Sequence, residues 1–185
     1  MKHKIYIKNM VCNRCKSTVI NELNSLGYDL DSLELGQVIL TTDAVIDYTN
    51  IQKVLGEHGF EIITDDIQVL IEKIKITLMQ KLENQEVSNL SVFLPKTFSK
   101  PYSALSKIFS KNEGITIEKY LINLKIEKVK EYIQLAQLNF SEVAYSLNYK
   151  SSSHLARQFK NVTGMSMSKF RDLQKWNRKT LDQIV

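Results

Sequence analysis

The feature that most constrains this chain is an internal repeat: residues 103–120 align with residues 153–170 at an offset of 50. The matched pairs are Ser103 with Ser153, Leu105 with Leu155, Lys107 with Arg157, Phe109 with Phe159, Gly114 with Gly164, Thr116 with Ser166, Lys119 with Lys169 and Tyr120 with Phe170. Each copy reads as a helix with a Leu-x-x-x-Phe core edge and a glycine suited to a left-handed C-cap. A Thr or Ser two residues later can N-cap the next helix. A shorter apolar pattern precedes each copy, Leu90, Phe93, Leu94 and Phe98 in the first and Phe140, Val143, Ala144 and Leu147 in the second. The pattern predicts two helix-turn-helix units. Between them Tyr120, Leu121, Leu124, Val129, Tyr132, Ile133 and Leu135 mark one long helix, from about Thr116 to Ala136, that would hold the units in a fixed relation. With both second helices on one side, a single chain could reach neighbouring major-groove segments roughly 34 Å apart.

Charge divides along the same lines. Residues 1–70 hold 6 Lys/Arg against 10 Asp/Glu, a net of −4, and residues 71–185 hold 19 against 10, a net of +9. A basic half suits a polyanion, because lysine and arginine near phosphates release condensed counterions; a merely solvated basic surface would carry the same charge. No stretch approaches the roughly 20 consecutive apolar residues of a bilayer span, and Met1-Lys2-His3-Lys4-Ile5 runs into an alternating pattern rather than a secretory apolar block. The expectation is a cytoplasmic protein without a membrane partner. With 6 Gly and 2 Pro, extensive disorder is excluded.

In the acidic half, Ile5 and Ile7 alternate with Lys4, Tyr6 and Lys8, the period of a half-buried strand. Val19, Ile20, Leu23 and Leu26 then recur at helical spacing before Gly27. Leu33 and Leu35, then Val38, Ile39 and Leu40, read as two strands around Gly36. A helix through Ile51, Val54 and Leu55 runs to Gly59, and Phe60, Ile62 and Ile63 form a last strand. The predicted order is β-α-β-β-α-β, a ferredoxin-like arrangement. Both cysteines, Cys12 and Cys15, fall at the first strand-to-helix turn, which excludes a disulfide framework and leaves a metal or redox pair. Two thiolates are soft ligands, and helix N-terminal N–H groups favour their charge, with Arg14 and Lys16 near enough to lower the thiol pKa further. A thioredoxin-like pair is disfavoured because residues 1–70 contain no proline. A module with simply reduced thiols is the competing reading. His58, before Gly59, is a weak third-ligand candidate that reads equally as a solvated helix end. Ile67, Leu70, Ile71, Ile74, Leu78 and Leu82 follow with Asp65 or Asp66 as N-cap, predicting a connector helix whose stripe packs on a domain or pairs with a second subunit in a homodimer. The expected organisation is residues 1–66, a connector at 67–84, and a helical domain at 85–185.

Over roughly residues 3–66 the chain resembles the heavy-metal-associated domain of copper chaperones and metal-transporting ATPases, through the M-x-C-x-x-C run Met10, Cys12 and Cys15. The resemblance implies a soft ion, copper(I) above all, on Cys12 and Cys15, with Met10 packed beneath the loop. The family's small loop residues are replaced by Asn13 and Arg14. Over about residues 85–175 the chain resembles the DNA-binding domain of AraC/XylS transcription regulators, through Tyr149, Arg157, Phe159, Lys160, Gly164, Phe170 and Arg171. It departs from that pattern at Asn148, for a turn glycine, at Met167, for a common proline, and at Pro101 and Lys150, where Ser or Thr often caps the recognition helices. Asn tolerates the left-handed turn; each missing cap would cost about 1 kcal/mol unless Ser99 or Ser151 substitutes.

By position, the resemblance implies base-facing Tyr102, Ser103, Ser106 and Lys107 on the first recognition helix, and Ser152, Ser153, His154 and Arg157 on the second. Arg157 is suited to a bidentate guanine contact, or to a phosphate, and His154 equally to covering the helix. Lys160, Lys169 and Arg171 would be phosphate neighbours, and a tail with Trp176, Arg178 and Lys179 would pack on the last helix or add backbone contacts. The expected function is sequence-specific binding of double-stranded DNA by a transcription regulator, gated through Cys12 and Cys15. Its competitors are a regulator whose N-terminal module is only a scaffold and a metallochaperone-like protein with an appended interaction domain. Three histidines far apart in sequence, and no phosphate-cradling glycine loop, predict no enzyme activity.

Overall fold

Alternation of Ile5 and Ile7 with polar neighbours builds β1 (Lys2–Lys8), with both isoleucines buried. The computed structural model describes residues 1–86, 89–136, 138–173 and 178–184. It divides into two units, Met1–Thr77 and Leu78–Val185, with the division inside one helix. No helix among the described residues is long and apolar enough to cross a membrane.

The first unit continues through α1 (Asn13–Ser25), β2 (Asp29–Glu34), β3 (Gln37–Thr41), α2 (Tyr48–Glu57) and β4 (Glu61–Ile63). The sheet is antiparallel throughout, in the order β2-β3-β1-β4. Register pairs Ile5 with Val38 and Ile7 with Ile62. Val38 and Leu40 join them in the core with Val19 and Leu23 of α1 and Ile51 and Leu55 of α2. The turn between β2 and β3 is Leu35-Gly36, so Leu35 is a turn residue rather than a strand residue. Gly36 has φ 75°, and its carbonyl accepts from the Ile7 N–H at 3.0 Å. A Cβ there would lie 2.5 Å from Ile76 Cδ1, so glycine admits both the left-handed turn and the close approach of the next helix.

That helix, α3 (Asp66–Glu83), begins where Asp65 Oδ1 accepts from the Gln68 N–H at 2.9 Å. It is buried more broadly than a single stripe: Val69, Ile76 and Met79 are covered as well as Ile71, Ile74, Leu78 and Leu82, whereas Ile67 is exposed.

The second unit contains α4 (Leu90–Phe98), α5 (Tyr102–Glu113), α6 (Ile117–Leu135), α7 (Phe140–Ser146), α8 (Ser152–Thr163), α9 (Met167–Asp172) and a 3-10 turn at Leu181–Gln183. The bounds of α5 and α8 keep the offset of 50 at both ends. Gly114 and Gly164 close them with φ 71° and 78°, and Thr116 and Ser166 cap the next helices through the Lys119 and Lys169 N–H groups. The buried ring pairs repeat too: Phe109 against Tyr120 and Phe159 against Phe170, each at 5.6 Å between centroids. Such pairs contribute about 0.5–1.5 kcal/mol beyond their area. Leu135, placed in the long helix's apolar pattern, is exposed at its end.

Candidate nucleic-acid interface

In the two matched helices the Leu-x-x-x-Phe edge is fully buried, Leu105 and Phe109 in α5 and Leu155 and Phe159 in α8. Burying that edge turns the opposite face outward, since residues three and four apart share one face of a helix. On α8 that face is Ser153, Arg157 and Lys160, all exposed, with Ser152 and His154 half-buried beside them. On α5 it is Ser103 and Lys107, exposed, flanked by half-buried Tyr102 and Ser106.

The entries to the two helices differ. Ser151 caps α8, its hydroxyl accepting from the His154 N–H at 3.1 Å, so it takes over the role that Lys150 does not fill. At α5 the N-cap is Pro101 without a side-chain hydrogen bond; Ser99 does not substitute, because it is the left-handed C-cap of α4 at φ 52°. In the turn before α8 the left-handed residue is Asn148, φ 57°, a conformation that Asn tolerates. The two turns therefore differ by one residue in register, a shift that the apolar pattern alone does not reveal.

The second turn is fastened by side chains. Tyr149 donates its hydroxyl to Gln158 Oε1 at 2.5 Å, and burial raises its pKa. Lys125 of α6 lies 5.0 Å from the same ring and donates to the Leu147 carbonyl at 2.8 Å; burial lowers its pKa. The His154 ring meets the Tyr149 ring edge-on at 5.4 Å between centroids.

At the start of α5, Tyr102 donates its hydroxyl to the Glu118 carboxylate on the first turn of α6. Burial, then Glu118, raises the Tyr102 pKa. Burial opposes ionisation of Glu118, but the Tyr102 hydroxyl, its own backbone N–H and the Thr116 hydroxyl outweigh that and lower its pKa. The sequence reading missed Glu118; its visible signal was the mismatch in the repeat, where Ser168 stands at the matching place.

Of the flanking cations, Lys169 is exposed on α9. Arg171 pairs with Asp172 at 3.3 Å and lies 5.5 Å from the Phe140 ring. Trp176 lies outside the described residues. Arg178 reaches Glu131 and Gln134, each at 3.5 Å, and the Lys179 N–H donates to Glu127 at 3.0 Å, so this part of the tail packs on α6 rather than on the last helix.

Cys12 is the N-cap of α1 and Cys15 lies in its first turn, with their sulfurs 3.2 Å apart and Met10 fully buried. Burial raises the Cys12 pKa, but the backbone N–H groups of Cys15 and Arg14, the Cys15 thiol and the Arg14 charge together bring it below the ordinary thiol value. Lys16 is not among those causes. Burial and the neighbouring Cys12 hold Cys15 above that value. His58 is turned elsewhere, with Nε2 3.0 Å from Glu22 Oε1. Among the described residues no group of three or more His, Cys, Asp or Glu is placed to hold a metal ion.

Residues 96–172 match the family model described as a helix-turn-helix domain. That stretch, from α4 to the end of α9, is similar to a helix-turn-helix domain. Over 69 residues, 37% of this chain, the sequence is 30% identical to the Msm operon regulatory protein of Streptococcus mutans serotype c. The matched part spans 25% of that relative's length. Among solved structures, the C-terminal domain of AraT, a response regulator from Geobacillus stearothermophilus, superposes with a TM-score of 0.53 at 15% identity. It covers 63% of this chain and 92% of that one, and shows a shared fold.

Proposed function

We propose that the chain is a sequence-specific DNA-binding transcription regulator, acting in the cytoplasm, whose α8 supplies the main base-reading surface. The observation that carries this is the exposed Ser153, Arg157 and Lys160 face of a capped helix, standing in a repeat whose first copy keeps the same buried edge. Arg157 would read a guanine edge, and the serines accept several base edges. Lys160 and Lys169 would position the backbone. On α5, Ser103, Ser106 and Lys107 form the corresponding surface. The resemblance to AraC/XylS regulators and the operon-regulator relative support the reading.

We read the first unit as a ferredoxin-like, heavy-metal-associated module. Cys12 and Cys15 suit a soft ion such as copper(I): two sulfur donors lie close together at a helix N-terminus, one of them with a lowered pKa. Bound there, such an ion would hold both thiolates and reshape the loop. Asn9 offers a route outward, since its carbonyl faces the Cys15 thiol at 3.9 Å and its N–H donates to Glu72 of α3 at 3.0 Å. In the second unit, the Glu83 carboxylate pairs with Lys128 of α6 at 3.2 Å, and the Gln85 carbonyl accepts from Asn148 in the turn before α8 at 3.2 Å.

The test is selection of genomic DNA fragments by the purified, reduced protein, with and without stoichiometric copper(I), at a stated salt concentration. A common site whose enrichment changes with the metal is the expected result. Enrichment indifferent to metal would remove the gating and leave a scaffold-bearing regulator. No enrichment in either arm would sink the regulator and favour the metallochaperone-like reading.

A further inference from the structure

The two recognition helices are copies, yet only one has its leading side chain tied down. In α5 the first residue, Tyr102, gives its hydroxyl proton to Glu118, whereas at the corresponding place in α8 stands Ser152, and Glu118 itself corresponds to Ser168. A phenol has one proton to donate, and a carboxylate is a stronger acceptor than a base edge in water-exposed surroundings. While the tie holds, Tyr102 cannot donate to DNA. Its remaining lone pairs sit beside a negative charge that the phosphate backbone must approach. Pro101, without a side-chain cap, gives this end of α5 no compensating polar group, whereas Ser151 supplies one for α8.

We propose that Glu118 is a specificity-determining residue of the first helix-turn-helix unit: by holding the Tyr102 hydroxyl it withdraws that side chain from base discrimination and leaves α5 to read through Ser103, Ser106 and Lys107. This rests on the DNA-binding reading above. The leading position of α5 then adds no base preference of its own, while both helices still present a basic residue at the matched position, Lys107 and Arg157. On this proposal Tyr102 does not read a base.

The test compares base preferences from a randomised DNA library for the full-length protein and four variants. Tyr102→Phe is expected to keep the wild-type preferences at every position, because the hydroxyl it removes is already withheld. Glu118→Ser, which installs the side chain of the matching position, should free the hydroxyl and sharpen preference about threefold to tenfold at one or two base pairs of the α5 half-site only. The double variant Tyr102→Phe/Glu118→Ser should lose that gain. Glu118→Gln, a neutral acceptor that keeps the tie, should bind all sequences somewhat more tightly without new preferences. A changed preference in Tyr102→Phe, or a uniform gain in Glu118→Ser, would overturn the proposal; the first outcome does so even if Glu118→Ser does not fold. Absence of selection by the wild type as well would instead remove the DNA-binding reading.

Discussion

Ala136 closes α6 with a left-handed backbone at φ 51°, while its N–H still reaches the Tyr132 carbonyl at 3.1 Å. A Cβ in that region costs about 1–2 kcal/mol, and glycine would remove the strain while adding some unfolded-state entropy. Ala136→Gly is therefore expected to raise stability by roughly 0.5–1 kcal/mol in denaturant titration. Gly164→Ala should lose about 1–2 kcal/mol; at φ 78°, with nothing within 4 Å of an added Cβ, backbone strain is the whole cost. Gly114 and Gly164 are legible in the sequence because glycine announces this conformation. Ala136 and Ser99 carry no such signal, since their conformation is imposed by where the chain must turn rather than by the residue. Among the thiols, Cys12 is held below and Cys15 above the ordinary value. The thiolate is the nucleophile and its fraction rises with pH. Alkylation of the single-cysteine variants Cys15→Ser and Cys12→Ser should therefore show Cys12 reacting with a midpoint at lower pH than Cys15. The reverse order, read by mass spectrometry, would contradict the asymmetry.

At the level of elements, helix caps explain why one half of the repeat was easier to read than the other. Asn89 and Asn139 cap α4 and α7 at the offset of 50, and Asn139 adds a capping box with Glu142. From α5 and α8 onward the repeat holds through the glycines and the ring pairs, because those positions serve one buried core. The turns between do not hold: α4 continues through Pro95 to Phe98, whereas α7 stops at Ser146. What sets the second turn is Tyr149, fastened by Gln158 and Lys125 from elsewhere in the fold, and no local pattern reports contacts of that range. The same limit hid Glu118, whose role depends on α6 starting beside α5. Ser151→Ala should cost about 1 kcal/mol, measured by thermal or denaturant unfolding, with hydrogen exchange speeding up first in the opening turn of α8. An unchanged exchange rate there would mean that the Ser151 hydroxyl does not hold the His154 N–H in solution.

For the whole molecule, the question is whether the cysteine loop and helices α5 and α8 answer to one another. The helix α3 contributes to both units, with residues up to Thr77 in the first and from Leu78 in the second. The Asn9 N–H is held by Glu72, a charged acceptor that is nearly buried, 5% exposed. Hydrogen bonds to charged groups contribute about 1.5–3 kcal/mol, against about 0.5–1.5 for neutral ones. Glu72→Gln keeps the shape and an acceptor oxygen while weakening this link. If occupancy of Cys12 and Cys15 is transmitted through Asn9, the variant should bind copper(I) with unchanged stoichiometry and bind DNA in the metal-free state as before. Only the ratio of DNA affinities with and without metal should fall. Couplings of this kind are typically about 1–3 kcal/mol, or about 5–150-fold in affinity, and they are reciprocal. DNA should therefore shift copper(I) affinity by the same factor in the wild type, and by the same reduced factor in Glu72→Gln. Paired titrations in both directions give the decisive comparison. A full metal response in Glu72→Gln would exclude this route, and a response that differs between the two directions would show that metal and DNA do not share one equilibrium.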